Sequence, residues 1–122
     1  MFFLYKGPPP KDSAGNVKLV KSVFGNEITL DAAVIKHILK RHPEIGKLRN
    51  IEEAISRTIA SPDFVFEGRY GETIAARRIK EEAFEGAWMM VPYEEGGRVK
   101  TTFIVSNIKK MIRRRAVLWK RK

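Results

Sequence analysis

Two prolines limit the length of the helices in the first half of this chain. Asp31 is a favourable N-cap, and the apolar residues after it fall on one arc of a helix until Pro43 prevents continuation. A second amphipathic segment begins at Asn50, where Asn-x-x-Glu matches a capping box, and stops at Pro62. The predicted helices therefore span residues 31–42 and 50–60.

Short apolar segments separated by turn residues follow the second helix. They predict strands at residues 64–67, 73–79, 87–93 and 99–105. Helices followed by a run of strands are typical of α+β domains. We therefore predict an α+β fold in which two N-terminal helices pack on a roughly four-stranded antiparallel meander, followed by a basic C-terminal segment. After Asn107 the spacing favours a short helix over a last strand at residues 116–119.

The length of 122 residues fits one domain. Residues 1–27 are expected to form an N-terminal arm and possible edge strand, with a turn and loop at residues 7–16, and residues 28–122 the core. No apolar run approaches the ~20 residues that span a bilayer. The first ten residues lack the pattern of a signal peptide, so we expect a cytoplasmic protein without a membrane partner.

Positive charge is concentrated at the C-terminal end. The net charge is +10, and residues 98–122 hold ten basic residues and no acidic one, which leaves 14 basic against 14 acidic residues before them. Such a segment is typical of a protein that binds a polyanion, and Phe103 and Trp119 are suited to stack on bases between the cations. A solubilising tail is the alternative. The absence of cysteine excludes disulfides, zinc–thiolate sites and thiol catalysis.

The only two histidines, His37 and His42, lie in the first predicted helix. They are ~140° apart around the helix, whereas paired metal ligands four residues apart share one face, so we predict no metal site. His42 lies in the centre of the apolar arc, at the helix end where the dipole favours an imidazolium. It is a candidate general acid or phosphate ligand. A structural role at the turn into Pro43 is the alternative, and His37 is expected to be exposed.

Several short motifs occur in an order that resembles a known group of nucleases. Residues 31–44 are DAAVIKHILKRHPE, residues 59–68 are IASPDFVFEG, and residues 99–103 are VKTTF, followed by an arginine cluster. Over residues 28–118 this order resembles the phage-associated nucleases of the barnase/EndoU/colicin/RelE-like fold. The shared features are a helix that ends in a basic residue and His-Pro, a second helix that leads to Pro-Asp, and a late strand with Thr before an aromatic residue.

The resemblance implies a small endoribonuclease, toxin-like or phage-derived, that needs neither a metal nor another cofactor. In that chemistry the ribose 2′-hydroxyl attacks the adjacent phosphate, a general base and a general acid move the protons, and cations stabilise the phosphorane. The catalytic candidates are His42, His37, Arg41, Thr102 and Thr101. The nucleic-acid-binding candidates are Arg69, Lys100, Arg113, Arg114 and Arg115. RNA is the expected partner, and an inhibitor (immunity) protein is a further candidate.

Strand alternation predicts that residues 101, 103 and 105 share one face of the late strand and residues 100, 102 and 104 the other. No histidine occurs on the predicted strands, so a two-histidine mechanism requires His37 to turn inward. Two other classes of function remain open. One is a non-catalytic RNA- or DNA-binding module on the same fold, and the other is an interaction domain of a phage or mobile-element protein.

Overall fold

The computed structural model of the protein describes residues 17–122, and the turn and loop predicted at residues 7–16 lie outside them. The described residues form three helices and seven strands. The helices are α1 (Ala32–Arg41), α2 (Ile51–Ala60) and α3 (Lys109–Arg114). The strands are β1 (Val17–Lys21), β2 (Glu27–Asp31), β3 (Phe64–Glu67), β4 (Thr73–Arg78), β5 (Trp88–Tyr93), β6 (Phe103–Val105) and β7 (Val117–Lys120). Two 3₁₀ turns span Pro43–Lys47 and Glu82–Phe84.

The strands form two sheets. β1 and β2 pair as an antiparallel hairpin, and the other five strands form an antiparallel sheet in the order β6-β5-β4-β3-β7. Thr29 joins the two sheets, because its N–H donates to Gly97 O (2.8 Å) and its carbonyl accepts from Val99 N (3.0 Å). Since α1 follows β2 without a loop, this link holds the start of α1 beside the β5–β6 connection.

The predicted fold class, α+β with two N-terminal helices on a four-stranded meander, is wrong. The large sheet has five strands, the β1–β2 hairpin precedes the helices, and the chain is mainly β. β2 has the alternation of a half-buried strand, with Ile28 and Leu30 fully buried, but it passes into Asp31 with no turn residue to mark its end. The short helix predicted after Asn107 forms as α3, and the last strand treated as its alternative forms as well. α3 ends after six residues, which leaves the strand-favouring sequence VLWK to pair with β3 as β7.

Both predicted helix starts are confirmed. Asp31 Oδ1 accepts the N–H of Val34 (2.8 Å), and Asn50 Oδ1 accepts the N–H of Glu53 (3.0 Å). The Glu53 carboxylate pairs with Arg57 at 3.0 Å, so only the Asn50 half of the capping box forms. α1 therefore begins at the end of β2 and ends directly before His42.

The large sheet is covered on both faces. One face packs against α1, α2 and the hairpin, in a core that includes Ile38, Ile55, Ile59, Ala75, Val91 and Tyr93. The opposite face, called here the second face, carries a smaller cluster built on Phe66, Ile74, Ala76 and Met90. Ile108 and Met111 cover part of this cluster. α3 therefore lies over the second face and carries its four cations, Lys109, Lys110, Arg113 and Arg114, to that side of the protein.

Candidate active site

The backbone of His42 is held between α1 and the 3₁₀ turn that follows it. His42 N–H donates to Ile38 O (2.7 Å), which closes the last turn of α1, and His42 O accepts from Ile45 N (3.1 Å). Pro43 follows at the first position of the 3₁₀ turn, where its fixed φ fits and its missing N–H costs nothing. No side-chain hydrogen bond of His42 caps either element. The imidazole is thus left out of the local backbone bonding.

The imidazole of His42 lies at the β6 edge of the large sheet. Its side chain is 33% exposed, and its ring centroid is 6.3 Å from that of Phe103, the first residue of β6. Nδ1 faces Glu44 Oε2 at 3.7 Å, within ion-pair range but too far for a hydrogen bond. Because Nε2 is on the far side of the ring from Nδ1, it is the nitrogen left for a substrate.

His37 and Arg41 lie on the outer side of α1. Both are exposed, as expected for His37, and neither contributes to the two hydrophobic clusters. Within residues 17–122 the Arg41 guanidinium forms no salt bridge. Arg41 directly precedes His42 in the chain, and its exposed side chain adds positive charge at this end of α1. Among the described residues, His37 makes no contact with the β6 edge. His42 is therefore the one histidine at the candidate site.

The chain bulges where it enters β6. Met90 pairs with Phe103 and Tyr93 with Val99, so two residues of β5 lie opposite three, Lys100, Thr101 and Thr102. This extra residue breaks the strict alternation predicted for residues 100–105. Bulges often occur beside active sites, where they redirect side chains.

The two threonines of the bulge are in different environments. Thr102 is fully buried, and its hydroxyl donates to Thr101 O (2.8 Å). Thr101 is only half-buried. Of the two predicted hydroxyl groups, Thr101 Oγ1 is therefore the one with access to a ligand.

The predicted phosphate-binding residues are spread over three places. Arg69 lies in the β3–β4 turn, at the end of the sheet that carries Glu67 and Thr73. Arg113 and Arg114 are exposed on α3, and Arg115 caps its C-terminus. Lys100 lines a cleft of about 360 Å³ together with Arg98 and the acidic residues Asp31 and Glu94. Of these five predicted residues, only Arg113 and Arg114 belong to α3, which lies over the second face.

The larger cleft, of about 550 Å³, lies between α2 and the end of β4. Neither cleft includes His42. A polymer passes across a surface rather than into a cavity, so the open β6 edge is compatible with an RNA substrate whereas a small-molecule site would favour a cleft. In the part of the chain that the structure describes, no three His, Asp or Glu side chains are grouped to hold a metal ion.

Sequence reasoning misplaced one aromatic residue and missed two others. Trp119 pairs with Val65, on the face opposite Phe103, so these two rings do not form one stacking surface. Phe64 and Trp88 instead accompany Phe103 on the second face. The alternation of Phe64 and Phe66 in FVFE was the available signal, since it places two aromatic rings on one side of β3.

Comparison of the chain with protein-family models, with curated protein sequences and with solved structures found no match. Residues 17–122 contain no helix of the length and apolarity that a membrane span requires. The residues at the β6 edge and on the second face are therefore the only indications of function among the described residues.

Proposed function

We propose that the protein is a small endoribonuclease of the barnase/EndoU/colicin/RelE-like kind, which cleaves RNA at His42. The observation that carries this proposal is the placement of His42. Its imidazole is one-third exposed at the β6 edge, beside Phe103, with Nδ1 facing Glu44 and Arg41 adjacent in the chain. This arrangement suits a group that transfers protons at a phosphate.

In the proposed reaction the 2′-oxygen forms a bond to phosphorus and the bond from phosphorus to the 5′-oxygen breaks. The 2′-hydroxyl proton leaves to a base, and the departing 5′-oxygen receives a proton from an acid. His42 Nε2 is positioned to serve as one of these two groups. The Glu44 carboxylate lies 3.7 Å from Nδ1, on the side of the ring away from the proposed proton transfer. Arg41 and the Thr101 hydroxyl are the groups proposed to stabilise the phosphorane.

A non-catalytic RNA- or DNA-binding module is the second candidate. It is favoured by the isolation of His42, since His37 is exposed on α1 and the Thr102 hydroxyl is already bonded to the Thr101 carbonyl. Such a module would use the α3 cations without cleaving the bound strand.

The nuclease proposal has two consequences for the cellular context of the protein. The protein would bind and cleave its RNA substrate in the cytoplasm. A toxin-like or phage-derived nuclease would also need an inhibitor protein in the cell that makes it, and an acidic partner would complement the ten basic residues of residues 98–122.

Incubation with mixed RNA in EDTA, followed by analysis of the product ends, tests the proposal. We expect cleavage to 2′,3′-cyclic phosphate and 5′-hydroxyl ends, with no cleavage of DNA of matched sequence, which lacks the attacking hydroxyl. Binding without cleavage would favour the binding module. Products with 5′-phosphate ends would exclude the proposed chemistry.

A further inference from the structure

Two aromatic rings meet on the second face although a strand separates them. Phe64 is on β3 and Trp88 on β5, and β4 lies between. Backbones two strands apart are separated by about 9.6 Å, yet the ring centroids are 6.0 Å apart with planes at 55°. The residue opposite Phe64 on β4 is Ala76, whose methyl group leaves space for both rings to lean together.

The two rings, called here the aromatic platform, are supported from behind and open in front. Phe66 is fully buried in the second-face cluster and stacks on Phe64 with centroids 5.6 Å apart and planes at 14°. Phe64 and Trp88 themselves are only half-buried. The platform is therefore held in place by the core and presents ring surface to solvent.

Cations border the platform. Lys120 Nζ lies 6.0 Å from the Phe64 ring centroid, and Arg78 is paired with Trp88 in the register of β4 and β5. Both side chains are exposed, and neither forms a salt bridge among the described residues. The nearby carboxylate of Asp63 is already engaged by Arg121, at 2.9 Å from Nε. The local charge is thus positive and available to phosphate.

Aromatic rings flanked by free cations are the elements of a single-strand binding surface, since unpaired bases stack on the rings while the cations contact the backbone. We propose that the aromatic platform is a base-stacking subsite and that the substrate of this protein is single-stranded RNA. Duplex bases are already stacked within their own helix and cannot use such a platform.

The position of the platform sets a length for the substrate. Phe103, Met90, Ala76 and Phe64 form one row across the sheet through three strand spacings, or about 14 Å. At the ~3.4 Å rise of a stacked strand, this distance corresponds to about four nucleotides between the Phe64 ring, at the far side of the platform, and the β6 edge. Trp88, on β5, lies one strand spacing from β6. That the bound strand is RNA and that the cut falls at the β6 edge both rest on the proposed function.

The tryptophan count allows a direct test. The chain has two tryptophans, Trp88 and Trp119, so Trp119→Phe leaves Trp88 as the single tryptophan reporter. The probe is a 2′-O-methyl RNA octamer, which binds as RNA but cannot be cleaved because its 2′-oxygen is blocked. We expect the octamer to quench Trp88 fluorescence, and to bind at least tenfold more tightly than the same sequence in a duplex or cut to a dimer.

Substitutions in the same background test the individual groups. Phe64→Leu should weaken octamer binding about tenfold, as expected for the loss of one stacked base, and Lys120→Gln should weaken it less. Phe24→Leu is the matched control, because Phe24 is 43% exposed in the β1–β2 turn, away from the platform. The surface variant Lys120→Gln keeps the test valid should Phe64→Leu fold poorly.

Absence of quenching, or equal affinity for the duplex and the single strand, would overturn the proposal that the platform stacks unpaired bases. Because the octamer cannot be cleaved, these results are independent of catalysis. Quenching without cleavage of natural RNA would support the base-stacking role of the platform and contradict the nuclease proposal. Cleavage of natural RNA that is unaffected by Phe64→Leu and shows no quenching would retain the nuclease and reject the platform.

Discussion

Tyr93 shows at the scale of one residue how the fold constrains a polar group. Its side chain is fully buried in the main core, and its hydroxyl has no hydrogen-bond partner among the described residues. Ser22 and Glu95 lie beside it but bond to each other, with Ser22 Oγ donating to Glu95 Oε1 at 2.5 Å. Burial, reinforced by the negative charge of Glu95, raises the pKa of the Tyr93 phenol well above its usual value.

This raised pKa predicts a loss of stability at alkaline pH. The unfolded state releases the phenol proton near the ordinary pKa of about 10, whereas the folded state retains it to higher pH. The contribution of Tyr93 is therefore fully present below pH ~10 and falls by up to about 1.4 kcal/mol per pH unit above it. Urea unfolding from pH 8 to 11 should show a shallower decline for Tyr93→Phe than for the wild type.

Tyr70→Phe is the control for this experiment, because Tyr70 is 83% exposed in the β3–β4 turn. Its unfolding free energy should decline with pH as steeply as that of the wild type. Equal slopes for Tyr93→Phe and the wild type would show that the Tyr93 phenol ionises as freely in the folded protein as in the unfolded chain.

At the scale of an element, the bulge before β6 separates the roles of its two threonines. Thr102→Val removes a buried hydroxyl that donates to Thr101 O, and should cost about 1 kcal/mol of unfolding free energy. It should leave the cleavage rate per folded molecule unchanged. Thr101→Val should instead reduce the rate with little change in melting temperature, since its side chain is half-exposed. Cleavage assays and melting curves on the same preparations check both outcomes, and the reverse pattern would contradict this assignment.

The elements also show what could be predicted from the sequence. α1 and α2 were predictable because Asp31 and Asn50 are local N-cap signals and the prolines that follow each segment are local stop signals. The bulge was not predictable, because it depends on how Val99 and Phe103 pair with β5. The meeting of Phe64 with Trp88 likewise depends on β4 lying between them, which is a property of the sheet order.

The candidate site also combines features that the local sequence predicts with features that depend on long-range contacts. His42 was selected as a candidate from its place beside Pro43 at the end of a helical arc, which is a local pattern. The distance from His42 to Phe103 and the opposite facing of Trp119 arise from contacts between segments far apart in the chain. Periodicity within one segment contains no information about such contacts.

At the scale of the whole molecule, the cations of α3 lie over the second face, and we propose this face as the nucleic-acid-binding surface. Replacing Arg113, Arg114 and Arg115 together with glutamine should weaken octamer binding and reduce the slope of log affinity against log salt by about 2, at ~0.7 per single-strand phosphate contact. Glutamine at Lys18, Lys21 and Lys47 removes equal charge from exposed positions outside α3. This control should leave the slope nearly unchanged. Equal effects of the two triple variants would show that octamer binding depends on the net charge of the protein and not on the position of the α3 cations.

The central claim is that His42 transfers protons during RNA cleavage. The most direct test is the EDTA-resistant cleavage rate of His42→Ala, measured per folded molecule together with its melting temperature, with His37→Ala as the exposed histidine control. The capping bonds of His42 come from its backbone, so the variant should fold. We predict a rate loss of about 10²-fold or more for His42→Ala and little change for His37→Ala. A destabilised His42→Ala that still cleaves RNA at the wild-type rate per folded molecule would contradict the claim.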